Sequence, residues 1–190
     1  MTHVLVVPAK STKSAADATK FSISGRGLTV GDNMKPDRVQ KAKDNFIKGY
    51  NCAQSVFLAY ADLLGFSEED AARFSSPFGA GFGRTREVCG TVSAMTMILG
   101  YFEGNADPSD QEGKTRIYTR ERELIDLFLK GQKSIVCREI LGLEKGEEEP
   151  PAPSVRDLAY YESRPCLGCV ETAARIIEKE ILGTVKSGSI

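Results

Sequence analysis

The sequence predicts an all-α fold, a compact bundle of about six to seven helices with a flexible N-terminal tail. Three observations carry this reading. Polar capping residues recur just before apolar residues at helical spacing, and glycines close those runs. One segment in the middle, residues 89–101, is apolar on nearly every side, as the buried centre of a bundle is. Beyond the N-terminal tail no stretch alternates apolar and polar residues as a half-buried strand does.

The elements follow in chain order. Residues 1–33 are rich in Ser, Thr, Ala, Lys and Gly without a lasting period, and read as a flexible extension, an expression remnant or an over-extended gene start. A weak hairpin signal joins Val4-Leu5-Val6-Val7 to residues 21–23. Met34-Lys35-Pro36 starts the folded domain, which is expected over residues 34–183 with a tail at 184–190. Pro36 suits a first helical turn, and a polar amphipathic run continues to Lys48. Gly49-Tyr50-Asn51 punctuates the chain, and Asn51 is an N-cap for a helix over 52–64 whose apolar positions include Val56, Leu58, Leu63 and Leu64; Gly65 ends it. Ser67, with Asp70 three positions on, opens a short helix ending near Ser76.

Phe78-Gly79-Ala80-Gly81-Phe82-Gly83-Arg84 is the most glycine-rich stretch, and the apolar helix follows it. Pro108 and Ser109 lead into the longest helix, 110–130, with Ile117, Leu124, Leu127 and Phe128 on its apolar face and Gly131 closing it. Ser134 caps a short helix over 135–141. The acidic, proline-rich stretch 147–153 is a loop. Finally Cys166 or Cys169 opens an amphipathic helix that runs to Leu182.

Composition narrows the function classes. The 190-residue chain carries 25 basic and 26 acidic side chains with no basic run above that balance, so nucleic acid and anionic membranes are not its natural partners. No apolar stretch approaches the roughly 20 residues that span a bilayer. The apolar start is too short for a signal-peptide core, and a cytoplasmic protein is expected. His3 is the only histidine, which excludes histidine triads, H-E-x-x-H zinc sites and a haem attachment motif.

Five cysteines remain, an odd number and too sparse for a disulfide scaffold. Each alone reads as a small core hydrophobe. Placed on the helices they form a pattern: Cys52, Cys89, Cys137 and Cys169 each fall at a predicted helix start. A helix N-terminus carries partial positive charge and free N–H groups, which favour the thiolate, the nucleophilic and metal-binding form. Arg84 and Arg86 precede Cys89, Arg138 follows Cys137 and Arg164 precedes Cys166; facing a sulfur, each would lower its pKa further. Cys166-Leu167-Gly168-Cys169 is the one close pair and suits a redox dithiol or two ligands to one metal. No βαβ setting supports thioredoxin chemistry and no second pair supports a zinc ribbon. Gly79, Gly81 and Gly83 follow no strand and precede no Gly-Lys-Ser/Thr, so dinucleotide and P-loop readings fail. They read as a reversing loop or as a place where backbone approaches a cluster or substrate held by Cys89.

Gly49-Tyr50-Asn51-Cys52-Ala53-Gln54, the glycine run, Val88-Cys89-Gly90, Cys137-Arg138-Glu139-Ile140-Leu141 and Cys169 together resemble the C_GCAxxG_C_C family, bacterial and archaeal proteins taken to be redox-active. The resemblance covers roughly residues 37–182. It pairs Cys52, Cys89, Cys137 and Cys169 with the family's four cysteines and leaves Cys166 additional. In the middle motif Thr91 and Ala94 stand where the family has alanine and glycine. A related domain in some multihaem cytochromes implies an electron-transfer setting, though this chain has no haem motif.

Cys52, Cys89, Cys137 and Cys169 are therefore expected to converge, as cycling thiols or as ligands of an iron–sulfur cluster. In the thiol version Cys89 attacks and Cys52 or Cys169 resolves. The partner is then a redox protein or a small-molecule thiol or disulfide. Two rivals remain open: a structural zinc held by the same four thiolates, and a structural or interaction protein with buried cysteines.

Overall fold

The computed structural model describes residues 37–144 and 149–184. Among them are eight α-helices and no strand. These are α1 (Arg38–Ile47), α2 (Cys52–Ala59), α3 (Glu68–Ser75), α4 (Gly90–Glu103), α5 (Gln111–Gly131), α6 (Cys137–Leu141), α7 (Leu158–Ser163) and α8 (Cys166–Ile176). The chain continues from α8 through a widened π turn, Ile177–Ile181. The expected extension over residues 1–33, its hairpin signal and Pro36 lie outside the described residues, as does residue 34, the expected start of the domain.

Side-chain caps set most helix starts. Asp37 accepts from the Gln40 N–H at 2.9 Å, Ser67 from Asp70 at 3.1 Å, Asp110 from Gly113 at 2.8 Å and Asp157 from Tyr160 at 2.8 Å. Asn51 and Gln54 form a reciprocal capping box, both bonds 3.0 Å long. Two expected boundaries move and one helix is added. The second helix stops at Ala59 rather than at Leu64, and the chain turns so that Leu63 faces solvent. Ser134 is not the N-cap of α6; its hydroxyl accepts from Val136 N–H at 2.9 Å, and the helix begins at Cys137. Helix α7, in the stretch after the proline-rich loop, had no counterpart among the expected elements.

Helices α1, α2, α4 and α8 enclose the core, with Phe46, Tyr60, Met95, Ile98, Leu99 and Ile177 almost fully buried, and α5 adds Leu124 and Phe128. Burying a large apolar side chain contributes about 1.5–3 kcal/mol, so these positions outweigh any single polar contact. Two large polar side chains drawn in are anchored by hydrogen bonds. Tyr60 donates to the Ala174 carbonyl at 2.9 Å. Arg38, only 5 % exposed, donates to both Asp62 carboxylate oxygens at 2.6 and 2.7 Å and to the Ala59 carbonyl at 2.7 Å. That fork ties the end of α2 to α1.

The glycine-rich stretch is a left-handed turn. Ala80, Gly81, Phe82, Gly83 and Arg84 all have φ between 55° and 75°, and the Gly83 N–H closes the turn on the Gly79 carbonyl at 3.0 Å. Left-handed backbone costs about 1–2 kcal/mol at each residue with a Cβ, here Ala80, Phe82 and Arg84. Gly81 is needed twice over: its φ is +69°, and an added Cβ would lie 2.8 Å from the Cys137 Cβ.

A cysteine-lined cavity beneath the left-handed turn

Helix starts bring the cysteines to one place. Cys52 is the first residue of α2, Cys137 of α6 and Cys166 of α8; Cys89 is the N-cap residue of α4, and Cys169 lies one turn into α8. Three close approaches align these ends. Gly90 lets α4 meet α2 so tightly that an added Cβ would stand 2.8 Å from Cys52 Sγ and 2.7 Å from the Phe78 carbonyl. Gly79 packs directly on the Asn51 side chain, so the turn sits over the start of α2. The segments before α4 and α6 run antiparallel through one bridge, Val88 with Val136, supported by Cys89 N–H to the Ile135 carbonyl (2.7 Å) and Cys137 N–H to the Glu87 carbonyl (2.6 Å).

The result is one cavity of about 50 Å³ lined by Cys52, Cys89, Cys137, Cys166 and Cys169, together with Arg86, Arg156, Arg164 and Tyr160. All five thiols are free; four are buried and Cys166 is half-buried. Of the glycines, Gly79 and Gly81 support the turn by close packing, whereas Gly83 has open space around its α-carbon.

The five sulfurs differ in protonation. The Cys89 pKa is lowered from 9.0 to about 6, which favours its thiolate. The largest cause is the neighbouring Cys169 thiol; burial opposes it, and the Thr91 hydroxyl and the Thr91 and Val92 N–H groups add to it. Thr91 Oγ1 lies 3.2 Å from Cys89 Sγ. The other four are pushed the opposite way. Burial raises Cys52, against an opposing Ala80 N–H, and the Cys89 charge raises it further. Burial also raises Cys137 and takes Cys166 up to about 11. Cys169 rises chiefly through the neighbouring Cys89, with burial adding to it. A second anion beside the Cys89 charge is disfavoured, and that charge adds to burial in raising Cys52, Cys137 and Cys166.

The arginines do not sit where neighbourhood in sequence suggests. Arg86 precedes Cys89 by three residues yet points to Cys137, with Nη1 3.9 Å from that sulfur, while the rest of its guanidinium pairs with Glu149. Its own φ of 64° turns it that way. Arg84 also reaches Glu149 and donates to the Pro150 carbonyl at 2.8 Å. Arg138 donates to the Glu144 carbonyl. Arg164 lies over the Tyr160 ring at 4.6 Å and lowers Cys137 and Cys166 by its charge. Sequence reasoning missed Arg156, Tyr160 and Gln132. The first two belong to the unrecognised α7 region, where Asp157 three residues before Tyr160 is the capping signal that could have found it. Gln132 accepts from the Cys169 thiol at 3.2 Å.

The donor set bears on metal binding. A four-thiolate zinc or iron site needs its sulfurs about 2.3 Å from a shared centre. Among the described residues no three Cys, His, Asp or Glu side chains are grouped so that they could hold a metal ion. No helix among the described residues is long and apolar enough to cross a membrane.

Fold and site together define an all-α protein built around buried, unpaired cysteines. The chain belongs to the C_GCAxxG_C_C family, described as "Putative redox-active protein (C_GCAxxG_C_C)", whose model matches residues 50–180. No curated protein and no solved structure matches it.

Proposed function

We propose that this protein is a dithiol redox protein in which Cys89 is the attacking thiolate and Cys169 the resolving thiol. The observation that carries this reading is that Cys89 and Cys169 line one cavity, in which Cys89 is the one sulfur whose pKa falls below neutrality. With a pKa of about 6 the thiol is roughly nine-tenths ionised at pH 7, against about a few per cent for an ordinary cysteine.

The reaction runs by exchange. Cys89 Sγ attacks one sulfur of a disulfide RSSR, the S–S bond breaks, and RS⁻ leaves with the electron pair, giving a mixed disulfide on Cys89. Cys169 Sγ then attacks Cys89 Sγ, and its proton passes to the second RS⁻ as that group departs. Two protein thiols are oxidised to one disulfide while RSSR is reduced to RSH and RS⁻. The reverse direction uses the same groups. Cys52, kept neutral beside them, leaves the negative charge on Cys89 alone.

The test is to oxidise the fully reduced protein with one equivalent of a small disulfide and map the bonded pair by peptide mass spectrometry. A Cys89–Cys169 disulfide is expected. A bond that excludes Cys89 would overturn the assignment, and stoichiometric iron or zinc in protein purified without oxygen would replace it with ligation.

A further inference from the structure

Outside the thiols lies a second space of about 270 Å³. It shares Asn51, Ala80, Arg86, Arg156, Tyr160 and Arg164 with the cysteine cavity, so the two lie side by side across these residues. Its wall carries Arg84 as well, which makes four guanidinium groups, and none of its lining residues is acidic. One carboxylate, Glu149, pairs with Arg84 and Arg86. Arg156 and Arg164 have no carboxylate partner among the described residues. Arg156 lies over the Tyr160 ring at 5.3 Å and donates to the Tyr50 carbonyl at 2.9 Å, and Arg164 lies over the same ring at 4.6 Å. Both are half-buried. The chain as a whole has a net charge of −1, so this concentration of cations is local and not a reflection of composition.

Size and charge together select a ligand. The inner cavity, at about 50 Å³, admits a few atoms beside Cys89, and the body of any reactant must remain in the outer space. That space is at or below the usual range of small-molecule sites, too narrow for a protein loop or nucleic-acid strand. Guanidinium groups held on an aromatic face, without carboxylates of their own, are suited to bind carboxylates in forked pairs. We propose that the arginine-lined vestibule binds the carboxylate of a small anionic disulfide and delivers its sulfur to Cys89. This rests on the thiol reading above and adds the substrate class: RSSR bears a negative charge within a few bonds of its sulfur. The exchange is the one already balanced, with R carrying the carboxylate.

Three disulfides of similar length separate the possibilities: 3,3′-dithiodipropionate (dianion), 2-hydroxyethyl disulfide (neutral) and cystamine (dication), each mixed with reduced protein while thiol release is followed. A cleft with excess positive charge raises the local concentration of an anion at least about tenfold, so the dianion should outpace the neutral disulfide by about that factor and cystamine by more. Added salt should erase the advantage, and Arg164→Gln should bring the dianion-to-neutral ratio towards one. Equal rates for all three in wild-type protein would overturn the vestibule's role while leaving thiol exchange intact. Failure of all three to react would overturn the thiol reading instead. Calorimetry with suberate, which has the dianion's chain but no sulfur, then tests the vestibule alone. Binding that weakens in Arg164→Gln supports it, and no binding to wild-type protein contradicts it.

Discussion

The Thr91 hydroxyl lies 3.2 Å from Cys89 Sγ, and both side chains are buried in the first turn of α4. Against a thiolate that hydroxyl can only donate. Thr91 stands where the family motif has alanine, so this chain adds a donor to the sulfur that the backbone N–H groups of Thr91 and Val92 already face.

Replacing Thr91 by valine keeps the shape and removes the donor. Hydrogen bonds to charged groups contribute about 1.5–3 kcal/mol, so the ionised fraction of Cys89 at pH 7 should fall by about two- to fifteenfold. The pKa read from the pH dependence of alkylation should rise in the same variant. An unchanged profile would show that the hydroxyl does not bond the sulfur.

Gln132 should act in the opposite sense. A thiol has one proton, and Cys169 can give it to Gln132 Oε1, 3.2 Å away, or to Cys89. Gln132→Leu removes the competing acceptor. Cys89 should then titrate at a lower pH and react several-fold faster in mildly acidic buffer, an effect on the order of one neutral hydrogen bond. Slower reaction would mean that Gln132 positions Cys169 for Cys89.

Folding stability should depend on pH through the same sulfurs. Cys89 is lowered in the fold, so its contribution is fully present above the unfolded value of 9.0 and is lost as pH falls through about 6. The other four are raised, so they oppose folding as pH climbs above 9, where only the unfolded chain ionises them. The melting temperature of the reduced protein should rise between pH 6 and 9 and fall beyond. Cys89→Ser should flatten the rise and keep the fall.

Two glycines in α4 should respond with opposite signs to alanine. Gly100 has nothing within 4 Å of an added Cβ, and Gly100→Ala should stabilise by about 0.5–1 kcal/mol through helix propensity. Gly90→Ala gains the same propensity but drives a methyl towards Cys52 Sγ and the Phe78 carbonyl. Overpacking of about 1–3 kcal/mol should outweigh it, lowering the denaturation midpoint and altering Cys89 reactivity.

The helices were largely legible because their signals are local. Asn51, Ser67 and Asp110 are caps that act on N–H groups three residues away, and Gly131 marks the end of α5. Helix α7 escaped notice because it is short and has no fully buried residue to create a period. The cysteine positions at helix starts were legible for the same local reason. Which arginine faces which sulfur was not, since it depends on a run of left-handed residues that swings Arg86 from Cys89 towards Cys137. Arg156 and Tyr160 reach the cavity only through the packing of α7, and no spacing in the sequence links them to Cys52 or Cys89.

The central claim is that a single thiolate, on Cys89, stands among protonated neighbours. The ultraviolet absorbance of the reduced protein, followed as pH is raised, reads thiolates directly. One thiolate should appear near pH 6, absent in Cys89→Ser, with no further step until strongly alkaline pH. A step near pH 6 that survives in Cys89→Ser, or no thiolate at all below pH 8, would contradict it.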